Sequence, residues 1–179
     1  MTSLRLFVAI YPPPEVADAL LAALPPQNIA PGRETPAEQI HLTCHFIGDR
    51  GVRELRDVRE SIDRSCSGLG EIKVSPRDLI ALPAGRGAKL IAAACDVSPA
   101  ILELHRRLVI RFARPGKRAD RFEPHLTLRR YGPAGGPRVS SPLAIQTFSA
   151  SEVRLVQSVL HPSGAEHRVV HRVPVPVGG

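Results

Sequence analysis

Leu6-Phe7-Val8-Ala9-Ile10 stands near the start of the chain, and 35 residues after Leu6 comes His41-Leu42-Thr43-Cys44. The same theme returns as Leu90-Ile91-Ala92-Ala93-Ala94, followed 35 residues after Leu90 by His125-Leu126-Thr127-Leu128. At an offset of 84 residues (41 to 125), Ala9 meets Ala93, Leu20 meets Leu104, Leu42 meets Leu126, Thr43 meets Thr127 and Gly48 meets Gly132. Each copy starts with a short apolar run that reads as a buried strand. A helix stripe follows: Ala17, Leu20, Leu21 and Leu24 in the first copy, Ile101, Leu104, Leu108 and Phe112 in the second. Pro12-Pro13-Pro14 and Pro25-Pro26 bracket the first helix, while Ser98-Pro99 supplies an N-cap and first-turn pair for the second. A loop then leads to a strand that begins His-Leu-Thr. Two such units, about 4–48 and 88–132, imply a duplication inside a single domain spanning 1–179. They pack as pseudo-symmetric lobes with matching strands opposite each other.

The rest of the chain fills in around this repeat. Residues 27–39, with Pro31, Gly32 and Pro36, read as a loop, and Gly48-Asp49 closes the strand over 40–47. Val52, Leu55, Val58, Ile62 and Cys66 mark a further helix. The segments 71–82, 144–149, 152–160 and 166–173 alternate like antiparallel strands.

Composition narrows the function. Of the 179 residues, 43% are hydrophobic and 23% charged, the balance of a soluble globular protein. No apolar run approaches the ~20 residues that span a bilayer, and the first residues lack the features of a secretory signal. The three cysteines, Cys44, Cys66 and Cys95, form no CxxC and read as small buried hydrophobes in a reducing compartment. The expectation is a cytoplasmic protein with no membrane partner. Net charge is +7, and all but three of the 24 basic residues (Lys73, Lys89 and Lys117) are arginine. Guanidinium forks match phosphate oxygens, so the bias suits a phosphate or RNA partner; a GC-rich genome explains it equally well.

Chemistry concentrates in the repeated tripeptides. On a strand, residues i and i+2 share a face, so each His stands beside a Thr hydroxyl while Leu points to the core. Imidazole, with an ordinary pKa near ~6.5, exchanges protons near neutral pH, and two of them can act as acid and base. The hydroxyls can donate to phosphate oxygens. A single His on a strand is ordinarily a surface or rim residue. Two in identical contexts at equivalent positions of a repeat are not explained that way.

These residues resemble a known family. The two His-x-Thr-x tetrads, with Arg5-Leu6-Phe7-Val8-Ala9-Ile10, Phe46-Ile47-Gly48, Pro124 and Arg130, look like the two-histidine (2H) phosphoesterase superfamily. Within it they resemble the RNA 2′,3′-cyclic phosphodiesterase branch, historically called 2′-5′ RNA ligase. The resemblance runs from about Arg5 to Val175. It implies a bilobal, pseudo-twofold α+β fold with an antiparallel sheet in each lobe, helices outside and the active-site cleft between the lobes. It also implies opening of a terminal 2′,3′-cyclic phosphate to a 2′-phosphomonoester without metal or cofactor. In that scheme His41 is the proton donor, His125 the proton acceptor, and Thr43, Thr127 and Arg130 bind phosphate. The expected partner is RNA with a cyclic phosphate end, tRNA fragments among them, or a small cyclic phosphate, and the chain is expected to act as a monomer.

Several positions leave alternatives open. Strict alternation puts Arg129 on the face of His125, so Arg130 reaches phosphate only if a bulge or twist follows Leu128. By the same alternation His45 shares the face of His41 and lines either the cleft or its rim. The His41-x3-His45 spacing is no HExxH metal pair, because Leu42 replaces the Glu and the segment is a strand. Gly85-Arg86-Gly87-Ala88-Lys89 reads as a hairpin turn. Five basic residues between Arg111 and Arg121 suit either a cleft wall that steers RNA or a solvated loop. His161, His167 and His171 read as surface strand positions. Two other functions compete with the leading one: a 2H enzyme acting on a small cyclic nucleotide or ADP-ribose cyclic phosphate, and a non-catalytic RNA-phosphate-binding module. Few aromatic residues (4%, no Trp) disfavour the last.

Overall fold

Strand β1 (Ser3–Ile10) leads into helix α1 (Pro14–Ala22), with Pro14 at its first position and Ala17 and Leu20 on its buried side. After the two-residue strand β2 (Arg33–Glu34) and a 3-10 turn over Ala37–Gln39 comes β3 (Leu42–Gly51), then α2 (Leu55–Cys66) and β4 (Ile72–Leu82). The second unit is β5 (Leu90–Val97), α3 (Pro99–Arg111) and β6 (His125–Arg130). Short strands β7 (Ser140–Pro142) and β8 (Phe148–Ala150) precede the long hairpin β9 (Glu152–His161) and β10 (Gly164–Pro174). This computed structural model describes residues 3–27, 32–84, 87–113, 121–162 and 164–178.

All strand pairs are antiparallel, in the order β10-β9-β1-β3-β6-β5-β4-β7, with β2 added to β6 and β8 to β4. Two half-sheets, one ending at β3 and the other at β6, meet at the single pair Leu42–Leu126. Leu6, Val8, Ile10, Leu42, Ile91, Ala93, Leu126 and Leu128 turn to one side of the sheet. There they join Ala17 and Leu20 of α1, Val58 and Ile62 of α2, and Ile101, Leu104 and Leu108 of α3 in one core. Each fully buried large aliphatic side chain contributes about 1.5–3 kcal/mol. The other side carries only a small cluster of Phe7, Ala9 and Val156 with Tyr11 against it. The helices thus cover one face and leave the other for the tetrads.

Three local expectations change. Strand β3 does not stop at Gly48-Asp49 but continues to Gly51. Gly48, with φ of 78°, lets the strand kink past an extra residue, Ile47, that the register against β1 leaves unmatched. Ser98 does precede α3, yet its hydroxyl makes no cap bond; it donates to the Glu71 carbonyl and accepts from the Lys73 amide, tying the helix start to β4. Within the expected 27–39 loop, Arg33 and Glu34 pair with Arg130 and Arg129 of β6. Residues 85–86 of the Gly-rich turn and 114–120 of the basic segment lie outside the described residues.

Candidate active site

Both tetrads break the regular ladder at their fourth residue. Ala9 pairs with Thr43 and Val8 with His45, so Cys44 is an extra residue in β3. Ala92 pairs with Thr127 and Ile91 with Arg129, so Leu128 is the extra residue in β6. The two bulges stand at equivalent positions (44 + 84 = 128). A bulge shifts every later side chain to the opposite face. Arg130, opposite Leu90, therefore shares the face of Thr127 and His125, while Arg129 turns the other way. In the first half the same shift brings Phe46, opposite Phe7, onto the open face with Thr43 and sends His45, opposite Val8, to the helix side.

The two arginines consequently differ in kind. Arg129 is 2% exposed and bonds to the Glu34 carboxylate at 2.6 Å and the Pro25 carbonyl at 2.7 Å, pinning the segment after α1 and strand β2 to β6. That hydrogen bond is the main reason the Glu34 carboxyl lies below its ordinary range. Arg130 is exposed on the open face, close enough for its charge to act on His41 and His167. His45 does not line the cleft, correcting the alternation-based expectation. It stacks near Phe112 (6.0 Å) and His105 (6.2 Å) behind the sheet. His105 Nδ1–H donates to the bulge carbonyl of Cys44 at 2.7 Å.

His41 and His125 are oriented by the same local bond. His41 Nδ1–H donates to the Gln39 carbonyl and His125 Nδ1–H to the Glu123 carbonyl, each at 2.7 Å and each two residues back. A carbonyl only accepts, so Nδ1 carries the proton and each neutral ring has its lone pair on Nε2. The Leu42–Leu126 pair sets the two tripeptides side by side in opposite directions. Continuing that antiparallel sense by one step sets His41 across from Thr127 and His125 across from Thr43. Thr43 is half-buried and Thr127 buried.

Surroundings distinguish the two imidazoles. Around His41 stand Phe7 at 4.9 Å, Tyr11 at 5.5 Å and His167 at 5.0 Å between ring centroids. Burial pushes the His41 imidazole down to about 4; the Gln39 carbonyl opposes the shift, and His167, Arg130 and His125 add to it. Arg154 lies over the Tyr11 ring at 4.6 Å, and burial raises the Tyr11 hydroxyl to about 12. No aromatic ring among the described residues packs against His125, whose strand neighbour across β5 is Ala94.

Sequence reading missed two members of this face. Phe46 is 67% exposed beside Phe7 (6.0 Å), and its signal was its place 84 residues before Arg130. His167 is not a plain surface position, for its ring meets those of His41 and Phe7. Nothing in its local sequence marks it, because β10 lies outside the repeat. Among the described residues, no three or more His, Cys, Asp or Glu side chains come together in a way that could hold a metal ion, and no helix is long and apolar enough to cross a membrane.

No family model matches the chain. A relative from Methanothermobacter thermautotrophicus (strain Delta H), named RNA 2′,3′-cyclic phosphodiesterase, is 28% identical over 138 residues, covering 71% of this chain and 73% of the relative. The crystal structure of TT0787 of Thermus thermophilus superposes with a TM-score of 0.81 at 28% identity, covering 96% of this chain and 98% of that one. The fold is also that of E. coli LigT complexed with 3′-AMP, with a TM-score of 0.79 at 20% identity over 97% and 99% of the two chains. The likeness spans nearly the whole chain in structure and most of it in sequence, and it agrees with the resemblance of the two tetrads to the two-histidine (2H) phosphoesterase superfamily.

Proposed function

We propose that the protein opens terminal 2′,3′-cyclic phosphates of RNA to 2′-phosphomonoesters, as one domain acting without a metal. The observation that carries this reading is the matched pair of Nδ1–H bonds to the carbonyls of Gln39 and Glu123. They leave two Nε2 atoms free on one open face, either side of the Leu42–Leu126 pair. The name of the archaeal relative, RNA 2′,3′-cyclic phosphodiesterase, supports a cyclic phosphodiester at an RNA end.

In the reaction, His125 Nε2 takes a proton from water as the water oxygen bonds to phosphorus. The bond from phosphorus to O3′ breaks, and His41 Nε2–H gives its proton to the departing oxygen. Thr43, Thr127 and Arg130 donate to the non-bridging oxygens, where charge accumulates. His41 must enter as a cation, and in the empty site burial and the neighbouring cations oppose that. A phosphodiester anion supplies the missing counter-charge, so substrate binding raises the proton affinity of His41.

The test is incubation with a cyclic-phosphate-ended oligonucleotide and, separately, with a 2′,3′-cyclic mononucleotide, both in excess EDTA. The expected product is the 2′-phosphomonoester in each case, with the oligonucleotide turned over faster. Faster turnover of the mononucleotide assigns the small cyclic phosphates instead. Binding without turnover reduces the protein to a phosphate-binding module. Loss of activity in EDTA with recovery on added zinc overturns the mechanism.

A further inference from the structure

His167 stands on β10, outside both half-units. Two residues along, Val169 pairs with Val156 of β9, and Val156 pairs with Phe7 of β1, so His167 faces the open side of the sheet. Its ring meets Phe7 at 5.1 Å and 68° and His41 at 5.0 Å and 77°, edge to face in both. Its Nδ1 is enclosed and has no hydrogen-bond partner among the described residues. A phenyl ring would fill the same edge-on position without leaving a polar atom unmet.

The unmet nitrogen decides the tautomer. An enclosed N–H with no acceptor is costlier than an enclosed lone pair, so the ring's proton belongs on Nε2, the nitrogen that is not enclosed. His41 and His125 are held the other way, by carbonyls at their Nδ1 atoms. Burial and the nearby Arg130 guanidinium also keep the His167 imidazole below its ordinary value, favouring the neutral ring with its single donor. The ionisable groups that reach this ring are His41 and Arg130, with His125 acting in turn on His41 and Arg33 on Arg130, all basic. None is an anionic acceptor, and the oxygens of a bound phosphodiester are.

We propose that His167 is a substrate-binding residue of this site, donating a hydrogen bond from Nε2–H to an anionic oxygen of the bound phosphodiester. This rests on the two-histidine reading of His41 and His125, and it assigns the three imidazoles different tasks. Two exchange protons at Nε2, and the third holds its own.

Imidazole 15N–1H correlation spectra of the full chain read the tautomers directly. His167 is expected in the Nε2–H form and His41 and His125 in the Nδ1–H form. Titrating inorganic phosphate is expected to move the His167 and His41 signals with one saturation curve. In turnover, His167→Phe keeps a ring but loses the donor, and is expected to raise KM for a cyclic-phosphate-ended oligonucleotide about tenfold with little change in kcat. His167→Gln restores a donor and is expected to recover most of that loss. An Nδ1–H form of His167, no response to phosphate, or equal behaviour of the Phe and Gln variants overturns the proposal. If the wild type hydrolyses nothing while His167 still reports phosphate, the catalytic reading fails and the phosphate contact stands. If hydrolysis proceeds and His167 stays silent, the contact alone is wrong.

Discussion

The two halves of the sheet carry one motif in two environments. Against His41, β1 offers Phe7 and Tyr11, and β10 adds His167. Against His125, β5 offers Leu90, Ala92 and Ala94 at the matching register positions. The pair count shows the equivalence: Ala9 faces Thr43, and Ala92 faces Thr127. The first strands of the two units are thus related by 83 residues (9 to 92), although the tetrads are related by 84 (43 to 127). The backbone repeats; the walls do not. In the proposed reaction one imidazole gives a proton and the other takes one; ring packing alone makes His41 the poorer proton holder, and the bound phosphodiester anion reverses that sense.

The largest effect that could break this comparison is loss of either imidazole. His41→Ala and His125→Ala are each expected to lower kcat by roughly 10²–10⁴. The double variant is expected to fall well short of the product, because the two act in one step. Rates of product formation check this, and multiplicative losses would mean that the halves work independently.

Acid titration asks whether the aromatic wall matters. Above pH ~6.5, His41 is neutral in both folded and unfolded chains and contributes no pH dependence. Between about 6.5 and about 4 the unfolded chain binds the proton and the folded one does not. Stability is therefore expected to fall through that window, by on the order of 3 kcal/mol. Denaturant midpoints at pH 7, 5.5 and 4, with and without phosphate, measure it. Phosphate is expected to restore most of the loss by supplying the counter-charge, and an unchanged midpoint would remove the burial argument.

The residues after the bulges sharpen the contrast further. Arg130→Ala is expected to cost roughly 10–100-fold in kcat/KM, through a lost charge-assisted contact. Phe46→Ala at the equivalent place is expected to cost about tenfold, and to act mainly on KM, because an exposed ring on that face offers a stacking surface for a base. Measuring both on oligonucleotide and on inorganic phosphate separates them: only Arg130 is expected to matter for phosphate alone. Tyr11→Phe is the smallest change. Its hydroxyl is enclosed without a hydrogen-bond partner among the described residues, so thermal stability is expected to shift by less than about 1 kcal/mol.

How far the sequence carried this picture depends on what each residue type reveals locally. Strand, helix and strand in each unit were legible from periodicity and proline, because apolar spacing and capping act within a few residues. Alternation alone cannot see a bulge, so it mis-faced His45 and left Arg129 and Arg130 undecided. Resemblance favoured Arg130, and the register against β5 puts it on the face of His125 and Thr127. The strand pairing of Arg33 and Glu34 escaped because two residues carry no period at all. His167 escaped because its neighbours in space, Phe7 and His41, are far away in the chain.

The join between the half-sheets has a mechanical consequence. Elsewhere, strands of this sheet are locked by ladders that resist sliding and bending together, whereas β3 and β6 share one pair of residues. Any flexing of one half against the other would concentrate at that pair. His41 and His125 lie one residue from it on either side, so such flexing would change their separation while each ring kept its own carbonyl anchor. The gap between the two imidazoles would then be a property of the joint, beneath which Leu42 and Leu126 sit in the core.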